Sequence, residues 1–476
     1  MNAPANIREL LISELSIHSG ATPIVRNISL SLRPGQPLTL LGESGSGKSL
    51  VAQAVMGTLP PELAASRTIR LDGADLIASP PEERRNRWGR AISLLPQEPW
   101  LALDPTMRVG PQVAEVHRFV RGNAVSQSNA LAQANLADVG LGHAGALYSF
   151  QMSGGMCQRA AIAIAHAGGS GLLIADEPTK GLDADLRDSV VTRLKQEVEA
   201  GRLLLTITHD IGAARTLGGT VGIMLEGRLV DYGPAEQVLT APSHPYSRAL
   251  LDADPESWAR RAPTPSEDVV LAGRGLTKAF GAHVLFKDID IEVRAGEIVS
   301  VVGPSGCGKT TVGNILLGLV EPDAGSIERR MKVSPLRFQK LYQDPPAAFP
   351  PHQTIRTGLR DLAKLHRRPW SGVEKLLTRL RLQNDLLDRL PSQISGGELQ
   401  RFAIVRALLL DPVFLFADEA TSRLDPVSQK EVIDFLIQTV RETGLGVLLV
   451  THDRALAKRI STRTIDLAGA DEARPG

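Results

Sequence analysis

Two cysteines in 476 residues, Cys157 and Cys307, leave no material for a disulfide framework, a four-cysteine zinc site or an iron–sulfur cluster. Net charge is nearly absent as well: 53 Lys+Arg against 52 Asp+Glu give +1, so no chain-wide electrostatic footprint for nucleic acid exists. No apolar run approaches the roughly 18 residues of a membrane-spanning helix; the longest, such as 203–207 and 447–450, have strand length. The opening MNAPANIRELLISEL lacks the basic start and continuous apolar stretch of a signal peptide. The expectation is a cytosolic chain whose membrane association, if any, is peripheral. With 43% hydrophobic and 22% charged residues, general disorder is excluded.

The chain does contain itself twice. GESGSGKS at 42–49 is matched by GPSGCGKT at 303–310, and MSGGMCQR at 152–159 by ISGGELQR at 394–401. LLIADEPT at 172–179 answers FLFADEAT at 414–421, and ITHD at 207–210 answers VTHD at 450–453. Gly42 and Gly303 lie 261 positions apart, whereas Ser153 and Ser395 lie 242 apart, as do Asp176 and Asp418, and His209 and His452 lie 243 apart. The halves therefore share one architecture from the SGG element onward, and the first carries an extra stretch around 60–87. A period of this length is a duplicated domain and not a solenoid. The halves are placed at 1–240 and 269–476, joined by a Pro-rich linker at 241–268 that includes the segment HPYSRALL. Short runs that are apolar throughout (38–41, 171–175, 203–208; 298–302, 413–417, 447–451) alternate with helical stretches. That pattern predicts a mainly parallel α/β sheet buried on both faces.

Both Gly-rich loops satisfy G-x-x-x-x-G-K-[ST] and each follows an apolar strand. Gly42, Glu43, Ser44, Gly45, Ser46 and Gly47, and likewise Gly303, Pro304, Ser305, Gly306, Cys307 and Gly308, would turn backbone N–H groups toward phosphate oxygens, and the following helix adds its positive end. Lys48 and Lys309 would reach the β/γ-phosphates, with Ser49 and Thr310 as Mg²⁺ ligands and Thr311 next in the helix. Asp176 and Asp418 end buried strands, where open α/β sheets bind ligands, and are read as orienting Mg²⁺; Glu177 and Glu419 would polarise the attacking water. Singly, an Asp-Glu pair is a solvated turn. His209 and His452, ending further apolar strands, would sense the γ-phosphate; a lone histidine is more often structural. Gln97 and Gln343 would contact Mg²⁺ or water, although a glutamine near prolines is by itself a loop residue. Ser153, Gly154 and Gly155, and Ser395, Gly396 and Gly397, open helical stretches and read either as serine-capped helices or as a second anion site.

Phosphate loop, glutamine loop, SGG signature, acidic strand, D-loop (Gly181, Leu182 and Asp183; Arg423, Leu424 and Asp425) and switch histidine occur in this order in both halves. In that set the chain resembles the ATP-binding cassette ATPases over nearly its whole length. The resemblance implies two tandem P-loop domains, each with a mainly parallel sheet core, an antiparallel β-subdomain and a helical subdomain. It further implies ATP and Mg²⁺ as cofactors and intramolecular pairing of the two domains. One composite site would set 42–49, Gln97, Asp176, Glu177 and His209 against 395–400. The other would set 303–310, Gln343, Asp418, Glu419 and His452 against 153–158. Phe280 stands where the family stacks an aromatic ring on adenine; in the first half the nearest candidates are Ser19 and His18. Glu398 stands where the signature commonly has glutamine.

QEPWLALDPTMRVGPQVAE at 97–115, the methionine after the signature glycines and the HPY segment at 244–251 are similar to the oligopeptide, dipeptide and nickel importer branch. That likeness implies two permease subunits, a solute-binding protein and a place on the cytoplasmic face of the cell membrane, with peptide or nickel as cargo and no nucleic acid partner. A soluble tandem ATPase acting on ribosomes or DNA is the alternative from another class, but it would bring a long charged linker or zinc-binding cysteines. A tandem sugar-importer ATPase is the nearer alternative.

Overall fold

The computed structural model describes residues 7–467 apart from Ser44, Asp183, Ala282, Ser305, Met331, Lys332, Ser422 and Arg423. Of the expected site residues, Ser44 and Ser305 of the phosphate loops and Asp183 and Arg423 of the D-loops thus lie outside the described residues. The chain divides into two compact units, 1–251 and 252–476.

In the first unit, β1 (Leu10–Ser19), β2 (Thr22–Leu32), β4 (Leu63–Leu71) and β5 (Ala74–Asp75) form an antiparallel sheet in the order β2-β1-β4-β5. Between β2 and β4 runs β3 (Leu38–Gly42), which belongs to the second sheet. The others in that sheet are β6 (Ile92–Leu95), β7 (Leu172–Asp176), β8 (Leu203–Ile207), β9 (Thr220–Leu225) and β10 (Arg228–Pro234). Their order is β10-β9-β3-β8-β7-β6, parallel except for the β9–β10 hairpin. All five residues of β3 and of β8 are buried, because helices and the antiparallel sheet cover both faces, as expected of runs apolar throughout. The extra stretch of this half becomes the short strand β5 and a surface helix, Pro81–Arg87, in which no residue is buried.

The second unit repeats the plan. Its antiparallel sheet has the order β12-β11-β14, from β11 (Val269–Phe280), β12 (His283–Arg294) and β14 (Ala324–Arg329). Its parallel sheet has the order β15-β16-β17-β13-β18, from β13 (Ile298–Val302), β15 (Phe338–Leu341), β16 (Phe414–Asp418), β17 (Gly446–Val450) and β18 (Arg463–Asp466). Each unit adds a helical layer between its glutamine and its SGG element. In the first unit, helices Val109–Glu115 and Val125–Asp138 pack Val109, Val113, Ala132 and Leu136 around the buried Cys157. In the second, Ile355–Leu365 and Trp370–Arg379 bury Ile355, Leu359, Val373 and Leu377.

Residues 241–268 are pinned at each end. Asp231 accepts from Ser243 N (3.1 Å) and His244 N (3.1 Å), which starts the helix Pro245–Asp252 and buries Leu250 in the first unit. Further on, Trp258 is buried in the second unit under the Arg261 guanidinium, 4.0 Å from its ring centre, while Arg261 N donates to Arg459 O (2.8 Å).

Candidate active site

In both units a fully buried strand runs into a glycine in a conformation that favours glycine, Gly303 having φ +147°. Gly42 has φ +150°, and a Cβ there would lie 2.3 Å from the carbonyl oxygen of Met224. Gly47 and Gly308, at φ +95° and +97°, turn the chain left-handed to start the helices Lys48–Met56 and Lys309–Leu317. The loop is closed from within. Lys48 Nζ donates to Gly42 O (2.7 Å), Glu43 O (2.7 Å) and Ser46 Oγ (3.3 Å); Lys309 Nζ donates to Gly303 O and Pro304 O, both at 2.8 Å. Both ammonium groups are buried, so a concentrated positive charge sits at a ring of turned backbone, a ready phosphate cradle.

Ser49 Oγ donates to Asp176 Oδ1 at 3.1 Å and Thr310 Oγ1 to Asp418 Oδ1 at 2.8 Å, which gives each unit a hydroxyl and a carboxylate side by side beside the loop. No cluster of three or more His, Cys, Asp or Glu side chains suited to a metal exists among the described residues. Hard oxygen donors in so small a number fit Mg²⁺, which keeps waters and takes substrate phosphates as its remaining ligands. Burial pushes the Asp176 carboxyl up, partly offset by the Ser49 hydrogen bond.

Glu177 and Glu419 adopt left-handed backbone, φ +50° and +47°, uncommon for any residue but glycine and costing on the order of 1 kcal/mol or more. The turn is held by Glu177 N to Ile207 O (2.7 Å) and Glu419 N to Val450 O (3.0 Å) across the neighbouring strand. It aims each carboxylate at the switch histidine. His209 Nδ1 lies 2.9 Å from Glu177 Oε2, and His452 Nδ1 lies 3.8 Å from Glu419 Oε2. Thr208 Oγ1 (3.2 Å) and His209 N (3.3 Å) also donate to Glu177. In the second unit Gln343 Nε2 donates to Glu419 Oε2 at 2.8 Å, so this glutamine touches the carboxylate beside His452; Gln97 is half-buried. Burial alone would raise the Glu177 carboxyl, but the His209 hydrogen bond and the charges of His209, Lys48 and Lys180 leave it lowered. Glu419 is likewise lowered against burial, by His452, Lys309 and Gln343.

A carboxyl lowered below its ordinary 4.5 stabilises the fold fully above that value and loses the contribution as pH falls through the folded value. His209→Ala removes the hydrogen bond and charge that oppose burial, so the Glu177 pKa rises. The acid limb of the ATP turnover profile is expected to move to higher pH; an unmoved limb would show that Glu177 does not need to be ionised there.

Ser153 Oγ and Ser395 Oγ cap the SGG helices, accepting from Met156 N and Glu398 N at 3.3 Å each. Glu398 completes a reciprocal box through Ser395 N (3.1 Å), which explains how an acid is accommodated at this position. Gly154 and Gly396 each leave open space where a side chain would begin. Phe280 is 57% exposed at the end of β11, available for stacking, whereas Ser19 ends β1 at the equivalent turn. Burial pushes both the Cys157 and the Cys307 thiols up, which disfavours the reactive thiolate.

Some contacts were not anticipated. Asp210 and Asp453, the last residues of the T-H-D triplets, cap the following helices through Ala213 N (2.9 Å) and Leu456 N (2.8 Å), a role that their place before a helix signals. Arg187 forks onto Asp210 at 2.7 and 2.8 Å. Tyr246 of the HPY segment accepts from the phosphate-loop amide of Glu43 at 3.0 Å, so that helix braces the first loop.

A phosphate loop, an oxygen-donor pair and a carboxylate–histidine pair on a parallel sheet, built twice, define a tandem P-loop ATPase. Its sequence matches the ABC transporter family over residues 25–180 and 286–422, and the chain belongs to that family. It is 35% identical over 524 aligned positions to the glutathione import ATP-binding protein GsiA of Salmonella typhi, covering 95% of this chain and 84% of that one. It is 33% identical over 494 positions to the peptidoglycan transport ATP-binding protein YejF of Agrobacterium fabrum, covering 96% and 90%. Among solved structures, RNase-L Inhibitor shares the fold at a TM-score of 0.66 and 20% identity, covering 95% of this chain and 87% of that one.

Proposed function

We propose that this ATPase is the energy-coupling subunit of an importer, seated peripherally on the cytoplasmic face of the cell membrane. Its partners are two permease subunits and a solute-binding protein, and its cargo is a peptide. The observation that supports the reading is the pair of carboxylates, Glu177 and Glu419, each beside a histidine, in a chain whose relatives are named for glutathione import and peptidoglycan transport. Glutathione is itself a tripeptide, and both names favour peptide-like cargo over nickel.

In this account the domains run over 1–240 and 269–476, and each triphosphate is held by one half's phosphate loop and the other half's SGG helix. Lys48 and Lys309 hold the β- and γ-phosphates, and the turned amides of the loop neutralise charge on their oxygens. Ser49 and Asp176, or Thr310 and Asp418, would hold Mg²⁺, which would supply further charge neutralisation at the phosphates. Gln97 and Gln343 position water; Glu177 and Glu419 take its proton as its oxygen bonds to the γ-phosphorus and the bond to ADP breaks. His209 and His452 hold the carboxylates in place and contact the γ-phosphate, so its departure is felt in the switch strand. Phe280 stacks on adenine in the second half.

The test is uptake. A strain deleted for this chain is expected to lose accumulation of labelled di- and tripeptides, to regain it with the wild-type chain but not with a Glu177→Gln, Glu419→Gln chain, and to yield the chain in a membrane complex. Unchanged peptide uptake, with the chain sedimenting on ribosomes, would overturn the assignment.

A further inference from the structure

Among the described residues, a buried lysine–aspartate ion pair in the second unit has no counterpart in the first. In the second unit Lys340 lies on β15, in register with Phe416 of β16. Its ammonium is 3.2 Å from Asp418 Oδ2, with the two side chains 12% and 4% exposed. It also donates to Asn314 Oδ1 (2.8 Å) on the phosphate-loop helix and lies 5.0 Å from the Phe416 ring centre. Asp418 is therefore engaged on both oxygens, by the Thr310 hydroxyl on one and by a cation on the other. In the first unit the equivalent register position, opposite Ile174, is Leu94. There the helix position that matches Asn314 is Gln53, whose buried Oε1 has no hydrogen-bond partner. The acceptor is present in both halves, and only the second supplies its lysine.

We propose that Lys340 is a built-in cation that makes the second half's site hold ATP with weaker dependence on divalent metal than the first half's site. A bare carboxylate at the end of β16 would repel the triphosphate until a metal ion came between them. A permanent ammonium on that carboxylate relieves the repulsion beforehand and competes with the metal for Asp418. Asp176 has no lysine paired with either oxygen among the described residues, only Lys48 and the exposed Lys180 acting at longer range, and this leaves the first site dependent on the ion.

The intact chain allows the comparison. Lys48→Ala leaves the second site for a fluorescent ATP analogue, and Lys309→Ala leaves the first. For each, the ratio of Kd in excess EDTA to Kd in excess Mg²⁺ is measured. The ratio is expected to be roughly tenfold smaller at the second site, the scale of one partly screened charge pair. Lys340→Met should raise it to the first site's value, and Lys340→Arg should keep it low. Where Lys340→Met does not fold, Leu94→Lys in the Lys309→Ala chain decides, because it meets the waiting Gln53 acceptor and should lower the first site's ratio. Equal ratios at the two sites, or ratios unmoved by these changes, overturn the proposal. The inference rests on the reading of both loops as ATP sites; binding at neither site would reject that reading, whereas binding with equal ratios rejects Lys340 alone.

Discussion

The chain carrying both Glu177→Gln and Glu419→Gln is expected to bind ATP as the wild type does and to turn it over at least about 10²-fold more slowly, the usual worth of a positioned general base. An amide keeps the shape of the carboxylate and one acceptor oxygen. The contacts from Thr208 Oγ1 and His209 N to Glu177 therefore have a partner in the variant. What the amide loses is the capacity to take a proton from water. The two residues also sit in left-handed backbone, φ +50° and +47°, which glutamine tolerates as well as glutamate does. A fall in turnover with unaltered affinity therefore isolates chemistry from folding. Wild-type hydrolysis in the double variant would remove both residues from the catalytic role.

The second large effect concerns the SGG helices. A Cβ built at Gly154 or Gly396 meets nothing within 4 Å, and neither glycine needs a left-handed conformation. Asp at these first-turn positions even favours the helix dipole, by about 0.3–1 kcal/mol. Gly154→Asp together with Gly396→Asp should leave Tm unchanged or slightly raised. Yet if each helix start closes over a triphosphate, the added carboxylates oppose its charge where positive helix ends should stabilise it. Turnover is then expected to fall by roughly 10²–10³-fold, the loss typical of a removed electrostatic stabiliser. Gly155 makes a poorer probe, because its Cβ would lie 2.1 Å from Leu186 Cδ2 and the response would mix packing with function. Wild-type turnover in the double Asp chain would confine these helices to a structural, serine-capped role.

Much of this site is legible in the sequence because its groups are local. The phosphate loop needs glycine at fixed spacing, the carboxylates end apolar strands, and the duplication shows each element twice. The sheet was equally readable, since strands buried on both faces carry uninterrupted apolar runs. What the sequence hides are pairings between distant residues and backbone states that residue type does not demand. Nothing in A-D-E announces positive φ at the glutamate. The contact of Tyr246 with Glu43 spans 203 residues. Lys340 reads as one polar residue in a short edge strand until β15 lies beside β16 and its ammonium meets Asp418. The SGG serines carried two readings, and hydrogen bonding shows the cap in both halves; the cap is compatible with an anion at the same helix end, since it uses the N3 amide and leaves the earlier ones.

The account turns on ATP being held jointly by the two halves of one chain. The direct measurement is the amount of ATP retained per monomeric chain after gel filtration of the Glu177→Gln, Glu419→Gln protein, with and without Gly154→Asp and Gly396→Asp. The account predicts two nucleotides retained by the first protein and none by the second, with the nucleotide-free Tm of the second no lower than that of the first. Two retained by both would contradict it.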